Sequence, residues 1–224
     1  MNKVVLVVAA HPDDEVLGCG ATVATLAFRG WEVHHLILTN GADGRYAPEL
    51  VETLRDCANR AAKVLGVRSV TFEDFKNQGL ENESLSKIAA SIETVIGKIK
   101  PSVVFTQSRA DLNLDHRIVA EATVTATRPL PKTCVERVYS YEVASSSEWT
   151  FDGQRMFQAQ KFFDVGLQFE KKLEAMKCYH TELREFPHPR SLEHLQNQSR
   201  VWGSKVGFEY AEAFEIIRDC AREF

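Results

Sequence analysis

The chain has no apolar run approaching the roughly 18 residues that a membrane span needs, no Cys-x-x-Cys pair, no linker rich in proline, glycine and serine, and no excess of positive charge. Each absence removes a class of protein. Without the long apolar run, or a basic leader with a small-residue cleavage site, the expectation is a cytoplasmic chain with no membrane span. Five cysteines, Cys19, Cys57, Cys134, Cys178 and Cys220, are an odd number without metal-site spacing. Neither a disulfide framework nor a cysteine zinc site is expected, and most of them read as small buried apolar residues. A formal net charge of −4 argues against nucleic acid or an anionic membrane as partner. With no linker and no internal repeat in 224 residues, positions 1–224 read as a single domain.

What is present is a regular alternation of short β-branched runs and longer amphipathic stretches. Val4 to Ala10 is apolar throughout, as expected of a parallel strand covered on both faces. Val16 to Arg29 then predicts a helix closed by Gly30, and Trp31 to Thr39 a second strand. A helix from Glu49 to Leu65, a strand from Ser69 to Phe72, a helix from Ser84 to Lys100 stopped by Pro101, a strand from Ser102 to Thr106 and a helix from Leu114 to Thr127 follow. The series predicts an α/β fold: a Rossmann-like, mostly parallel sheet flanked by helices. The last third is less regular. It suggests strands at Val135 to Ala144 and Lys161 to Val165, and helices at Phe169 to Tyr179 and Ser191 to Trp202, with an irregular Phe186-Pro187-His188-Pro189-Arg190 segment as one wall of a pocket.

The chemistry sits where the first strand ends, in His11-Pro12-Asp13-Asp14-Glu15. An imidazole crowded among three carboxylates is costly in an ordinary fold, since like charges repel and burial desolvates them. A divalent cation relieves that cost. His11 and Asp14 can turn towards one ion, and His116, after the fourth strand in Asp111-Leu112-Asn113-Leu114-Asp115-His116-Arg117, is the best third ligand. Two nitrogens and one carboxylate suit Zn2+, and ligands of this kind also tolerate Fe2+ or another divalent ion. Asp13 stands beside the ion without being needed as a ligand, so it is assigned as general base towards a metal-activated water. Asp115 is better placed to hold an imidazole or Arg117 than to bind the ion.

Ala10 to Glu15 together with Asp115-His116-Arg117 resembles the PIG-L/LmbE-type N-acetylglucosaminyl deacetylases. Gly18-Cys19-Gly20, Thr39 to Gly44 and Phe72-Glu73-Asp74 extend the likeness over about the first 130 residues, with a weaker echo at Tyr210 to Phe214. The resemblance implies a metal-dependent deacetylase that hydrolyses the acetamide of an N-acetylglucosamine-type sugar, sugar nucleotide or glycoconjugate, with His11, Asp14 and His116 as ligands and Asp13 as base. The chain departs from the family pattern at Asn113, where many members carry a histidine thought to assist the oxyanion or the leaving amine. Asn113 can hydrogen-bond an oxyanion but cannot donate a catalytic proton, which leaves that proton to Asp13 acting in return or to His188 on its proline-flanked loop. Arg45, Asp74 and Arg190 are candidate substrate contacts at the same sheet edge, Arg190 as a bidentate clamp for an anionic group.

Blander readings compete. An isolated Asp13 or Asp14 is more often a helix cap than a catalyst. His34 and His35 fit packing roles in a strand, and His180 and His194 read as solvated. Gly18-x-Gly20 falls short of a dinucleotide loop, and the acidic cluster beside it would repel a pyrophosphate. A receiver-type signalling module would need neither His11 nor His116. The remaining alternatives are a deacetylase of an acylamino sugar acid or other small N-acyl conjugate, and a catalytically silent sugar-binding protein.

Overall fold

A computed structural model describes residues 2–40, 49–130, 135–151, 153 and 156–220. Seven strands form one sheet in the order β3-β2-β1-β4-β5-β7-β6, built from β1 (Val4–Ala9), β2 (Glu32–Thr39), β3 (Ser69–Phe75), β4 (Val103–Gln107), β5 (Arg137–Tyr141), β6 (Lys161–Asp164) and β7 (Ala211–Asp219). The first five strands pair in parallel, whereas β7 runs antiparallel to both β5 and β6. The helices are α1 (Asp14–Phe28), α2 (Glu49–Leu65), α3 (Leu85–Ile99), α4 (Leu114–Ala126), α5 (Phe169–Cys178) and α6 (Leu192–Ser204). None is long and apolar enough to cross a membrane among the described residues.

Alternation along the strands sorts the core into two layers. Val5, Val7 and Ala9 face α1, α2 and α5, while Leu6, Val8 and Ala10 face α3 and α4. Both faces of β1 are therefore buried, which explains why its sequence is continuously apolar rather than alternating. The helices begin and end on local signals. Ser84 caps α3 by accepting from the Lys87 amide, Ser191 caps α6 through the His194 amide, and α3 stops at Lys100, which is left-handed in front of Pro101.

Several boundaries differ from expectation. β3 continues to Phe75, so Asp74 lies within the strand rather than on a loop after it. β5 ends at Tyr141, three residues early, because the chain turns there towards a short 3-10 turn at Ser147–Trp149. The sequence reading has no counterpart for β7, whose Ala-Glu-Ala-Phe-Glu-Ile-Ile-Arg-Asp pattern mixes charges with apolar residues. Among the cysteines, Cys19 and Cys57 are buried, Cys178 is half-buried and Cys220 is exposed, so burial is less general than expected; Cys134 lies outside the described residues.

Helix α1 is broken. Cys19 takes φ −143°, ψ 20° inside it, and the groups freed at the break find partners on later segments. Lys172 on α5 donates to the Leu17 carbonyl at 2.7 Å, and the Ala21 and Thr22 amides donate to Glu212 on β7 at 3.2 and 2.6 Å. Lys172 and Glu212 also pair with each other at 2.6 Å in the interior. The break brings the helix against Tyr141. A Cβ on Gly18 would lie 2.0 Å from the Tyr141 ring, so only glycine admits this approach.

Candidate active site

The order of the sheet reverses between β1 and β4: from β1 the chain moves outward through β2 and β3, then crosses to β4 on the opposite side. Ligands bind in the crevice such a reversal opens at the strand carboxyl ends. His11 and Asp14 leave β1 at that crevice, and His116 enters it from the first turn of α4, after β4.

Three atoms converge there. His11 Nδ1 lies 3.1 Å from Asp14 Oδ2 and 3.1 Å from His116 Nε2, and His116 Nε2 lies 3.3 Å from Asp14 Oδ2. Ligands bound at 2.0–2.1 Å in a tetrahedron are separated by about 3.3 Å, so the triangle has the dimensions of one face of such a site. The far side of each imidazole meets a carboxylate. Asp115 Oδ2 lies 3.1 Å from His11 Nε2 and also accepts the Gln78 amide at 2.8 Å, while Asp111 Oδ2 lies 3.2 Å from His116 Nδ1. Carboxylates placed this way fix the tautomer and turn the other nitrogen's lone pair inward. Asp14 is itself held by the His11 amide at 2.8 Å and by Gln107 Nε2 at 3.0 Å.

The electrostatics favour positive charge at this point. Burial opposes ionisation of His116, yet Asp14 and Asp111 outweigh it and push its imidazole up to about 10. Burial works against ionised Asp14 as well, but the two imidazoles draw its carboxyl well below the ordinary range. A donor set of two nitrogens and a carboxylate oxygen at these separations, backed by Asp111 and Asp115, fits a divalent metal ion.

Beside the triangle lies a cavity of about 170 Å3 lined by His11, Asp13 and His116, by the polar Asn77, Gln78, Asn113, Ser145 and Ser146, by Glu182 and Arg190, and by Leu50 and Leu54 of α2. Asp13 is buried in its wall. Burial raises its carboxyl well above the ordinary range, against the pull of the Arg190 guanidinium, whose Nη1 lies 3.1 Å from Asp13 Oδ2. Arg190 is shared: the same nitrogen donates to Glu182 at 2.7 Å, and its Nε donates to the Ser145 hydroxyl at 2.7 Å. Asn113 caps α4 by accepting the Asp115 amide at 2.9 Å through its Oδ1, leaving its amide NH2 as the group it offers.

Two sequence candidates lie away from this constellation. Asp74 pairs with Arg55 of α2 at an exposed position and does not line the cavity, because β3 runs on past it. His188 also stays off the cavity wall among the described residues: its Nδ1 accepts the Arg190 amide at 3.1 Å and its ring meets Trp149 edge-on at 5.9 Å. It props the Arg190 loop instead of facing the site. Arg45 lies outside the described residues.

Other participants carried weaker sequence signals. Asp111 takes the Ser147 hydroxyl at 2.6 Å and that of Ser146, so the loop after β5 braces the carboxylate behind His116. Glu15 belonged to the recognised run without a role of its own; buried, it rises to about 7 even though it accepts a hydrogen bond from Tyr179. Asp111 was visible as a carboxylate five residues before His116. For Ser146, Ser147, Tyr179 and Glu182 no local pattern marks the role.

Residues 6–127 match the sequence profile of the PIG-L family, described as GlcNAc-PI de-N-acetylase. The chain belongs to this family. It is 29% identical to the uncharacterized deacetylase YaiS of Escherichia coli K12 over 76% of this chain and 90% of the relative, and 25% identical to the diacetylchitobiose deacetylase of Thermococcus kodakarensis over 96% and 83%. The structure superposes on the N,N'-diacetylchitobiose deacetylase of Pyrococcus horikoshii with a TM-score of 0.78 and 21% identity, covering 96% of this chain and 84% of that one. The seven-stranded α/β architecture is thus the PIG-L fold, and deacetylase relatives agree with amide hydrolysis as the class of chemistry.

Proposed function

We propose that this PIG-L family chain is a metal-dependent N-deacetylase that hydrolyses the acetamide of an N-acetylglucosamine-type sugar or sugar conjugate to a free amine and acetate. The observation that carries the reading is the buried Asp13 carboxylate on the wall of the cavity that His11 and His116 also line, beside a donor triangle of metal-site dimensions. His11, Asp14 and His116 would hold the ion, with Zn2+ the first choice and Fe2+ acceptable to the same donors. When bound, such an ion lowers the pKa of water and polarises a carbonyl oxygen.

The chain's own groups divide the remaining work. Asp13 accepts the proton of the attacking water and, from its place on the cavity wall beside the ligands, passes it on to the departing amine. The Asn113 amide is a neutral donor for the developing oxyanion, while Asn77, Gln78 and the serines offer partners to sugar hydroxyls. With His188 off the wall, both roles, base and acid, are assigned to Asp13. A silent sugar-binding protein would have no use for a desolvated carboxylate beside a metal site, so the enzymatic reading is preferred to that one.

The test is acetate release by metal-analysed protein, reconstituted with zinc or ferrous iron, against N-acetylhexosamines, their disaccharides, nucleotide sugars and acylamino sugar acids. Release that requires both the metal and Asp13 is expected, with Asp13→Ala at background. Stoichiometric metal binding with no release from any member of the panel would turn the assignment towards the silent binder, and absence of stoichiometric metal would overturn the ligand set.

A further inference from the structure

Asp13 has φ 109°, ψ −30°, a left-handed region that a residue bearing a Cβ rarely adopts and that its surroundings must hold in place. The turn has a geometric purpose. Asp13 and Asp14 are adjacent, and neighbouring side chains on a helix diverge by about 100°, yet one carboxylate lies between two imidazoles and the other on the wall of the cavity next to them. An abrupt change of backbone direction at residue 13 allows both.

Something must hold that change in place. The Asp13 amide donates to Glu15 Oε2 at 3.1 Å, and Glu15 Oε1 accepts the hydroxyl of Tyr179, beyond the end of α5, at 2.6 Å. Asp13, Glu15 and Tyr179 are 2%, 1% and 0% exposed, so no solvent competes for either bond. Packing alone gives no reason for a third carboxylate beside Asp13 and Asp14, because both burial and like charge disfavour it.

We propose that Glu15 and Tyr179 are positioning residues for Asp13: through the Asp13 amide they lock the turn that sets the catalytic carboxylate beside the metal ligands. The proposal rests on Asp13 acting as the base. Glu15 does not line the cavity and acts through the backbone of its neighbour. Tyr179 anchors Glu15 from a segment 164 residues further along.

The experiment uses the full zinc-loaded chain with Tyr179→Phe, Glu15→Leu, Glu15→Gln and Asp13→Ala. Tyr179→Phe and Glu15→Leu should keep zinc stoichiometry and KM while lowering kcat by about tenfold and about 100-fold, the scale on which small misplacements act. Glu15→Gln, whose amide oxygen still accepts from the Asp13 N–H, should recover most of the Glu15→Leu loss; a merely structural carboxylate would show no such split or rescue. Hydrogen exchange supplies a readout independent of turnover: the Asp13 amide in the metal-free protein should exchange faster in Tyr179→Phe and Glu15→Leu while the amides of β1 do not change. Wild-type kcat in both variants with Asp13→Ala inactive overturns the positioning role and leaves the base assignment standing. Full activity in Asp13→Ala overturns the base assignment, and the exchange rates then decide the backbone clamp by themselves. Should Glu15→Leu fail to fold, Tyr179→Phe removes one hydroxyl without changing shape and separates the same outcomes.

Discussion

Residues 4–126 and residues 137–219 meet at the same site with different tasks. The earlier region is a run of parallel strands whose carboxyl ends supply His11, Asp13, Asp14, Asn113 and His116. The later region adds antiparallel β7, α5 and α6, and supplies what those groups lean on: Ser146 and Ser147 against Asp111, Lys172 and Glu212 against the broken α1, Tyr179 against Glu15, Glu182 and Arg190 against Asp13. A donor triangle can be written in a dozen residues, but its stiffness is drawn from the rest of the chain. The difference also explains why the family profile covers 6–127 while much of the support for the site lies beyond it.

If the division is right, damage to the early region should abolish chemistry and damage to the late region should loosen it. The largest effect is expected from His116→Ala, which removes one corner of the triangle: zinc stoichiometry falls towards zero by metal analysis and acetate release falls to background. Next comes Lys172→Met, which strands the Glu212 carboxylate in the interior and should cost about 3–5 kcal/mol in urea unfolding. Adding Glu212→Gln should return part of that loss, since it removes the stranded charge while its one amide oxygen still accepts from either Ala21 or Thr22. Asp111→Asn joins the two regions. By loosening His116 and giving up charge towards it, the change should weaken metal affinity by about 10–100-fold in a chelator competition.

The smallest effects are in the response to pH, and here the regions have opposite signs. His35, in β2, is 1% exposed with neither ring nitrogen hydrogen-bonded among the described residues, and burial lowers it to about 3 from 6.5. Its unfolded form binds the proton that its folded form refuses, so stability should fall by about 1.4 kcal/mol per pH unit below 6.5. His35→Leu should flatten that limb of urea midpoints measured between pH 7 and pH 5. Glu142, just after β5, accepts from Trp202 at 2.7 Å and from Gln198 at 3.1 Å, and burial raises it to about 7 from 4.5. Its folded form holds the proton more tightly, so it favours folding at low pH, and that contribution is lost as pH rises from about 4.5 through about 7. Glu142→Gln keeps the acceptor and should remove this slope alone.

The parallel half of the fold was legible because β1, β2 and β4 are buried on both faces, and continuous apolar runs separated by capped helices leave few other readings. β7 was not, since Glu212 points into the molecule to meet Lys172 and Glu215 accepts from Ser108 and Ser140. Charges that are paired only through tertiary contacts look like loop residues in a linear text. The same reason separates the site residues. His11, Asp14 and His116 sit in short runs whose composition points to an ion, whereas Asp115, next to His116 in sequence, backs His11 across the fold and leaves His116 to Asp111. Asp74 was misplaced by three residues of strand, His188 by the path of a loop, and Tyr179 carries no mark until α5 is seen against α1.

The three bonds of Arg190 bear on discrimination between substrates. A guanidinium that faced the cavity alone would recruit any conjugate bearing a phosphate or carboxylate. Here the positive charge is already shared between Asp13 and Glu182, with Ser145 holding the fork in plane. On the proposed deacetylase reading, an acidic aglycone arriving at this wall would gain Arg190 only by prising it from a carboxylate, and if that carboxylate were Asp13 the newcomer would disarm the reaction it came for. On that reading, selectivity for uncharged groups at this wall would come from an attraction already satisfied, with no steric barrier required.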